Sequence, residues 1–426
     1  VLVAQNLTPD GYQPRVVDAE VEAALAASPA VLVEGARACG KTWTGKRFAR
    51  SEVLLDATAS ALLASNLDPA VLLEGDTPRL LDEWQLVPEI WNPMRRACDQ
   101  RVRSGQFILT GSADPPDDIT RHSGAGRVLR VMMRPMSLLE SGHSDGNISL
   151  AGLFQPGRCA ARDRGLKLGE VIEAACRGGW PRLLDADVPS ALRATRGYLN
   201  EISRTDISRV DGVARNPAGV RKLLASLGRN IASEASFATL AKDTADEDGI
   251  VDRRTVASYI AALERLFVVE NLRAWKPHIT SRAQLRKAPK RHFIDPSLAV
   301  AALGSTFETV MQNRLYAGLL FESLVVRDLR IYGQANNLDL SHYRDSDGLE
   351  VDVIIKHPDG RWIAAEVKLG SEKGINEGIH TLRRLQHKVD PNRSGTPSRL
   401  VIITATGYAY EHPDGISIVP ITALAP

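Results

Sequence analysis

Two groups of residues in this chain have the types and spacing to do phosphate chemistry. The first is the octapeptide Gly35, Ala36, Arg37, Ala38, Cys39, Gly40, Lys41 and Thr42, which fills every fixed position of G-x-x-x-x-G-K-[ST]. In such a loop the backbone N–H groups turn inward toward phosphate oxygens. The lysine reaches the β- and γ-phosphates of a nucleotide, and the hydroxyl can hold Mg²⁺. Further on, the apolar run Arg79–Leu81 ends in Asp82 and Glu83. Asp82 would join the Mg²⁺ shell, and Glu83 would orient or deprotonate an attacking water. The competing reading is a helix N-terminus enriched in acids. Thr110 or Ser112, just after the apolar Phe107–Leu109, could sense a γ-phosphate or simply form a turn. Arg127, after Gly-Ala-Gly, could lend positive charge to a transferring phosphoryl group in a neighbouring copy, or pair with an acid on the domain surface.

The second group is Asp352, Glu366 and Lys368. Two apolar stretches flank a Pro358-Asp359-Gly360 turn, the signature of a β-hairpin. Pairing His357 with Arg361 across that turn puts Asp352 opposite Glu366 and Glu350 opposite Lys368, all on one face. Two opposed carboxylates repel unless a cation lies between them. The expected cation is Mg²⁺ or Mn²⁺, bound through oxygen and activating water. The Asp352, Glu366, Lys368 spacing resembles that of the restriction-endonuclease-like superfamily, and the resemblance implies Glu322, on a helix expected over Leu319–Ile331, as a helical acid, with Gln386 as a further site residue. The alternative is a salt-bridged face, with Glu350 and Glu366 set against Lys368 and Arg344.

The elements that must position these groups can be read from the apolar patterning. Ala30–Glu34 is a short buried strand entering the loop, and Trp43–Ser51 is a helix leaving it. Arg15–Ala27 reads as a preceding helix. Val53–Leu55, ending at Asp56, reads as a strand, as do Arg79–Leu81, Phe107–Leu109 and Val128–Met133, the last of the sheet. Residues 141–165 are polar and aperiodic, as in a linker. Phe237–Lys242 and Asp252–Leu263 read as helices and Leu266–Leu272 as a strand, a winged-helix order. There Arg253 and Arg254 would touch DNA, unless the module contacts protein.

With 426 residues, 44% apolar and 24% charged, the chain has room for two to four ordinary globular domains. A net charge of +2 confines any nucleic-acid surface to a local patch. Arginine outnumbers lysine 41 to 12, which suits phosphate contacts but equally follows from a GC-rich genome. The four cysteines form no C-x-x-C pair, which argues against zinc and fits a reducing cytoplasm. No leader and no apolar run long enough to span a membrane are visible, so a cytoplasmic location without membrane partners is expected.

The loop GARACGKT, the box LLDEWQ, the segment LTGS and the segment GR-x(6)-RPMSLLE together resemble the AAA-type ATPases whose C-terminal half is the domain of unknown function 4143. Gly178-Gly179-Trp180-Pro181 and Tyr198–Ile207, with its Arg204 and Asp206, resemble further family boxes. Trp84 departs from the usual apolar residue, and GAGR replaces LAGR, but neither change removes a charged or phosphate-binding group. The resemblance implies an α/β protein. An AAA-type P-loop ATPase domain would cover 1–145, a linker and helical region 146–215, a winged-helix-like domain 216–290, and a restriction-endonuclease-like domain 291–426. It implies ATP and Mg²⁺ as ligands. The leading expectation is ATP turnover coupled to a C-terminal domain that acts on DNA or RNA, with nuclease cleavage at Asp352, Glu366 and Lys368. The alternative is a nucleotide-dependent switch whose C-terminal half only binds nucleic acid or protein. A small-molecule kinase would leave residues 200–426 without a role. An Arg127 finger working between copies would require a homo-oligomer.

Overall fold

The computed structural model describes residues 7–55, 68–113, 124–244, 252–275 and 288–426. They fall into two compact units: residues 1–135 with 207–213 and 262–267, and the remainder of the chain.

The first unit is built on five parallel strands: β1 (Ala30–Glu34), β2 (Ser51–Leu54), β3 (Arg79–Asp82), β4 (Phe107–Gly111) and β5 (Val128–Met132), in the order β2-β3-β4-β1-β5. β4 is central, with β1 beside it, and β5, the last strand in sequence, lies at an edge. Asp56, expected to end β2, lies outside the described residues. The two central strands are apolar on both faces because both faces are covered. Ala30, Leu32, Leu81, Phe107 and Leu109 pack with Trp84, Trp91 and Met94, the last two on α3 (Trp91–Arg101). Val31, Val33, Leu80 and Ile108 face the other way, onto Val21 and Leu25 of α1 (Asp18–Ala27). α2 (Lys41–Phe48) starts where the glycine loop ends.

The second unit carries helices α4 (Leu168–Arg177), α5 (Val188–Glu201), α6 (Pro217–Arg229) and α7 (Phe237–Thr244); α8 (Arg253–Arg265) runs from it into the segment assigned to the first unit. The strand expected over Leu266–Leu272 does not form as such. Phe267 has φ of 53°, a left-handed backbone that breaks an extended run. Only isolated bridges follow, Val269 to Phe293 and Leu272 to Lys290. Arg204 is exposed beside Glu201 while Asp206 is buried, so the two make separate contacts, as their spacing implies.

The C-terminal part of this unit is a six-stranded mixed sheet: β7 (Asp339–Arg344), β8 (Glu350–Lys356), β9 (Trp362–Lys368), β10 (Arg399–Thr404), β11 (Tyr410–Glu411) and β12 (Ser417–Pro420), ordered β11-β12-β10-β9-β8-β7. A two-stranded pair, β6 (Ile148–Ser149) with β13 (Leu424–Ala425), stands apart from it. Ile354, Trp362, Ala364 and Ile402 form a core with Leu382 and Leu385 of the helix Glu372–Lys388. The 22-residue helix Arg314–Ala335 carries Glu322. A buried charge group, Arg327 between Asp295 and Asp328 at 2.9 and 2.7 Å, fixes that helix in place. Asp328 accepts the Leu138 N–H and Asp295 the Gly179 N–H, so the PMSLLE and Gly-Gly-Trp boxes act here as anchors of the second unit.

Candidate functional site

The loop Gly35–Thr42 connects the C-terminal end of β1 to α2, the strand-loop-helix order that phosphate binding requires. Gly35 has φ of 153°, and a Cβ there would lie 2.0 Å from the Met133 carbonyl oxygen. Gly40 turns at φ of 108° into the helix. Both positions therefore need glycine. Lys41 is almost fully buried and donates to the carbonyl oxygens of Gly35 at 2.9 Å and Ala36 at 2.7 Å. Cys39 is buried against Met133, whereas Arg37 and Ala38 are exposed.

Asp82 and Glu83 stand at the end of β3, beside the loop. The Thr42 hydroxyl donates to Asp82 at 3.0 Å, and the Thr110 hydroxyl donates to the same carboxylate at 2.5 Å. Thr110 in turn accepts the Glu83 N–H at 3.0 Å, so one hydroxyl fixes both acids. Glu83 leaves the strand in a left-handed conformation, φ 55°, which turns its side chain off the strand line. Ser112 donates to both Glu83 oxygens, and Gln85 donates to one of them. Of the two candidates for reading a γ-phosphate, the Ser112 hydroxyl is directed at Glu83 and the Thr110 hydroxyl at Asp82. Asp82 is the last residue of β3, while Glu83 caps the N-terminus of a 3-10 turn, Trp84–Leu86.

Arg127 sits at the opposite end of the sheet from its own glycine loop. β5 runs parallel to β1 with Val128 beside Ala30, so Arg127 lies a strand length away, about 17 Å from the Gly35 end. It makes a 2.6 Å ion pair with Asp99. In its own chain the surface-pair reading is therefore the one realised, and a finger role is left only for a neighbouring copy.

Two residues near the loop escaped the sequence reading. Buried Arg15 donates to the Cys39 carbonyl at 2.8 Å and the Arg134 carbonyl at 2.7 Å, bracing the loop from behind. Tyr12 donates to Asp18 at 2.6 Å and meets the Thr44 hydroxyl at 3.0 Å. Burial and the Asp18 carboxylate hold its phenol well above the ordinary range. A Pro-Arg pair ahead of the first helix was the only available signal.

In the second unit, β8 and β9 pair with Val353 opposite Ala365 and Lys356 opposite Trp362, the register that the Pro-Asp-Gly turn implies. The ladder stops there. Asp352 accepts the Val367 N–H on its side chain at 2.9 Å, and Glu366 pairs onward with Ile402 of β10. Lys368 donates to Glu366 at 2.6 Å and lies 3.8 Å from Asp352. Gln386 is exposed and accepts from Arg383, so it does not join these acids. Arg344 reaches Glu350 at 3.4 Å.

The group that the sequence reading missed is Lys290. Its ammonium lies 2.7 Å from Glu322, 2.8 Å from Glu350 and 2.9 Å from Asp352, and its side chain is 1% exposed. Lys290 thus lies among Glu322, Glu350 and Asp352, where a divalent cation held by Glu322, Asp352 and Glu366 was expected. Among the described residues, no three His, Cys, Asp or Glu side chains are arranged to hold a metal ion. Burial, then the neighbouring Asp352 charge, pushes both Glu322 and Glu366 up to about 8. Burial also opposes the charge on Asp352, but Lys290 and Lys368 outweigh it and hold that carboxyl below its usual range. Lys290, resisted by burial and favoured by its three acids, is held well above the ordinary lysine range.

The parallel sheet and glycine loop define a P-loop domain of the AAA class, an ATP-binding fold; residues 27–141 match the AAA domain family. Residues 317–424 match the domain of unknown function DUF4143, and residues 169–309 match the domain of unknown function DUF8612. Residues 27–141 thus carry a P-loop domain of the AAA type, and residues 317–424 a DUF4143 domain. The uncharacterized proteins Rv2008c of Mycobacterium tuberculosis and Mb2031c of Mycobacterium bovis are each 26% identical to it over 368 residues, 85% of this chain and 75% of theirs. The Walker-type ATPase PABY2304 of Pyrococcus abyssi aligns over 71% of this chain and 99% of its own, with 12% identity and a TM-score of 0.44. No helix among the described residues is long and apolar enough to cross a membrane.

Proposed function

We propose that this protein binds and hydrolyses ATP with Mg²⁺ at Gly35–Thr42, and that turnover controls what the C-terminal half engages. The observation that carries this reading is the meeting of the Thr42 hydroxyl and the Asp82 carboxylate, 3.0 Å apart beside the glycine loop. Both are hard oxygen donors, a set that suits Mg²⁺, and these two residues would hold it. When bound, the ion neutralises phosphate charge. The loop N–H groups bind phosphate oxygens, helped by the N-terminus of α2. Lys41 exchanges its two carbonyl partners for the β- and γ-phosphates. Glu83 takes or orients the proton of the attacking water, and Ser112 with Gln85 holds that carboxylate in one orientation.

The test is phosphate release from ATP with Mg²⁺ or with chelator, repeated with single-stranded DNA, duplex DNA and RNA. Release that ignores chelation, or that Glu83→Gln leaves at the wild-type rate, would defeat the reading.

For the C-terminal half, cleavage at Asp352, Glu366 and Lys368 competes with nucleotide-controlled binding of DNA, RNA or a protein partner. The three ion pairs of Lys290 favour binding. Arg253 and Arg254, exposed at the start of α8, are the residues this reading gives to a nucleic-acid backbone.

A further inference from the structure

We infer that Lys290 is the resident cation of the Glu322–Glu350–Asp352 cluster, and that this cluster therefore takes no divalent metal and performs no metal-assisted phosphodiester cleavage. The inference concerns the second unit alone and stands whether or not the P-loop hydrolyses ATP.

An ammonium has three N–H donors; here it donates to Glu322 at 2.7 Å and Asp352 at 2.9 Å and has Glu350 beside it as an ion pair at 2.8 Å. A divalent ion shared by the same acids would need their oxygens at roughly 2.0–2.6 Å around nearly the same point. The two cations exclude one another, first by volume and then by charge. Lys368 adds a further positive charge, 3.8 Å from Asp352.

Lys290 cannot readily step aside. Its backbone is tied in both directions to Leu272, N–H to carbonyl at 2.9 Å each way. Its neighbours Arg291 and His292 are buried as well. Moving the side chain out would strand several buried acids and break pairs whose loss is costly in a dry interior. Two further carboxylate oxygens are also engaged. Asp352 accepts the Val367 N–H with its second oxygen, and Glu366 is held by Lys368 at 2.6 Å. The arrangement that an Asp–Glu–Lys hairpin offers a metal is thus closed from within by a lysine 62 residues earlier than Asp352.

The probe is Mn²⁺, titrated without nucleotide into the full chain carrying Asp82→Asn, which removes the P-loop carboxylate. That protein should bind no Mn²⁺, and wild-type protein with Mn²⁺ should leave supercoiled plasmid intact, with or without ATP. Adding Lys290→Gln should open the cluster to one Mn²⁺ per chain, a gain that Asp352→Asn removes. Stoichiometric Mn²⁺ binding by the Asp82→Asn chain, or Mn²⁺-dependent nicking by wild type that Lys368→Ala abolishes, would overturn the inference. A folded Lys290→Gln chain that still takes no Mn²⁺ would also overturn it. Should Lys290→Gln fail to fold, the Asp82→Asn titration and the plasmid assay decide alone.

Discussion

The Ser112 hydroxyl lies 2.7 Å from one carboxylate oxygen of Glu83 and 2.8 Å from the other. This places the polar residue at the tip of β4 in the service of the acid at the tip of β3. If Ser112 orients Glu83, Ser112→Ala should lower kcat by about tenfold, the worth of one charge-assisted hydrogen bond, and leave ATP affinity unchanged. Glu83→Gln should cut kcat by roughly 10²-fold or more while binding persists. Stopped-flow binding beside steady-state phosphate release separates the two quantities. A Ser112→Ala variant that loses affinity rather than turnover would return Ser112 to the γ-phosphate.

Lys41 is hydrogen-bonded to the carbonyls of its own loop, so nucleotide must displace contacts of 2.9 and 2.7 Å before the lysine can serve. Lys41→Ala should abolish tight ATP binding by calorimetry. It should also lower the melting temperature slightly, because two buried carbonyls lose their donor at about 1 kcal/mol each.

The strand, loop and helix around Gly35–Thr42 and the strand ending at Asp82 were legible in the sequence because their parts are local and follow an element order. A glycine loop between an apolar strand and a helix, and an apolar strand ending in two acids, each carry their own context. Side-chain direction was not legible. Nothing in the spacing says that Ser112 turns to Glu83, or that Arg127 lies at the wrong end of β5 for its own loop, because that depends on strand order. The β8–β9 register followed from the turn, since pairing propagates residue by residue from a fixed loop. Lys290 was hidden for the opposite reason. It comes 32 residues before Glu322 and 62 before Asp352, and tertiary folding alone brings it to them. The strand expected after α8 failed at Phe267, where a left-handed backbone overrides an apolar run that looks extended.

Arg127 can act on a phosphate only across copies. If it does, specific activity should rise with protein concentration, and mixing inactive Arg127→Ala with inactive Lys41→Ala should restore part of the turnover. The Asp99 pair at 2.6 Å would then be exchanged on assembly, so Asp99→Asn should raise rather than lower activity at low concentration. Full activity in an Arg127→Ala protein would reduce the residue to its surface pair.

Stability of the second unit should fall as the pH rises from about 7 to about 8.5. Glu322 and Glu366 are both raised from an ordinary 4.5 to about 8, chiefly by burial. A carboxyl whose folded pKa lies above its unfolded one holds extra protons in the folded state. Its stabilisation is complete below the unfolded value and is lost as the pH climbs through the folded one. Asp352 is shifted the other way, so its contribution is intact throughout this window and declines only in acid. Lys290 and Lys368, both raised, stay charged across it. His292, buried and held well below 6.5, penalises the folded state only at lower pH, where the unfolded histidine takes up a proton. That opposing slope offsets only one of the two glutamates, so the net fall is steepest between about pH 6.5 and about 8. Scanning calorimetry of the full chain should show a transition moving down between about pH 7 and 8.5. Glu366→Gln, which fixes the neutral form and can still accept from Lys368, should flatten the dependence and exceed wild type at the alkaline end. A melting temperature that holds steady or rises over this range would mean that the two glutamates are ionised in the folded protein.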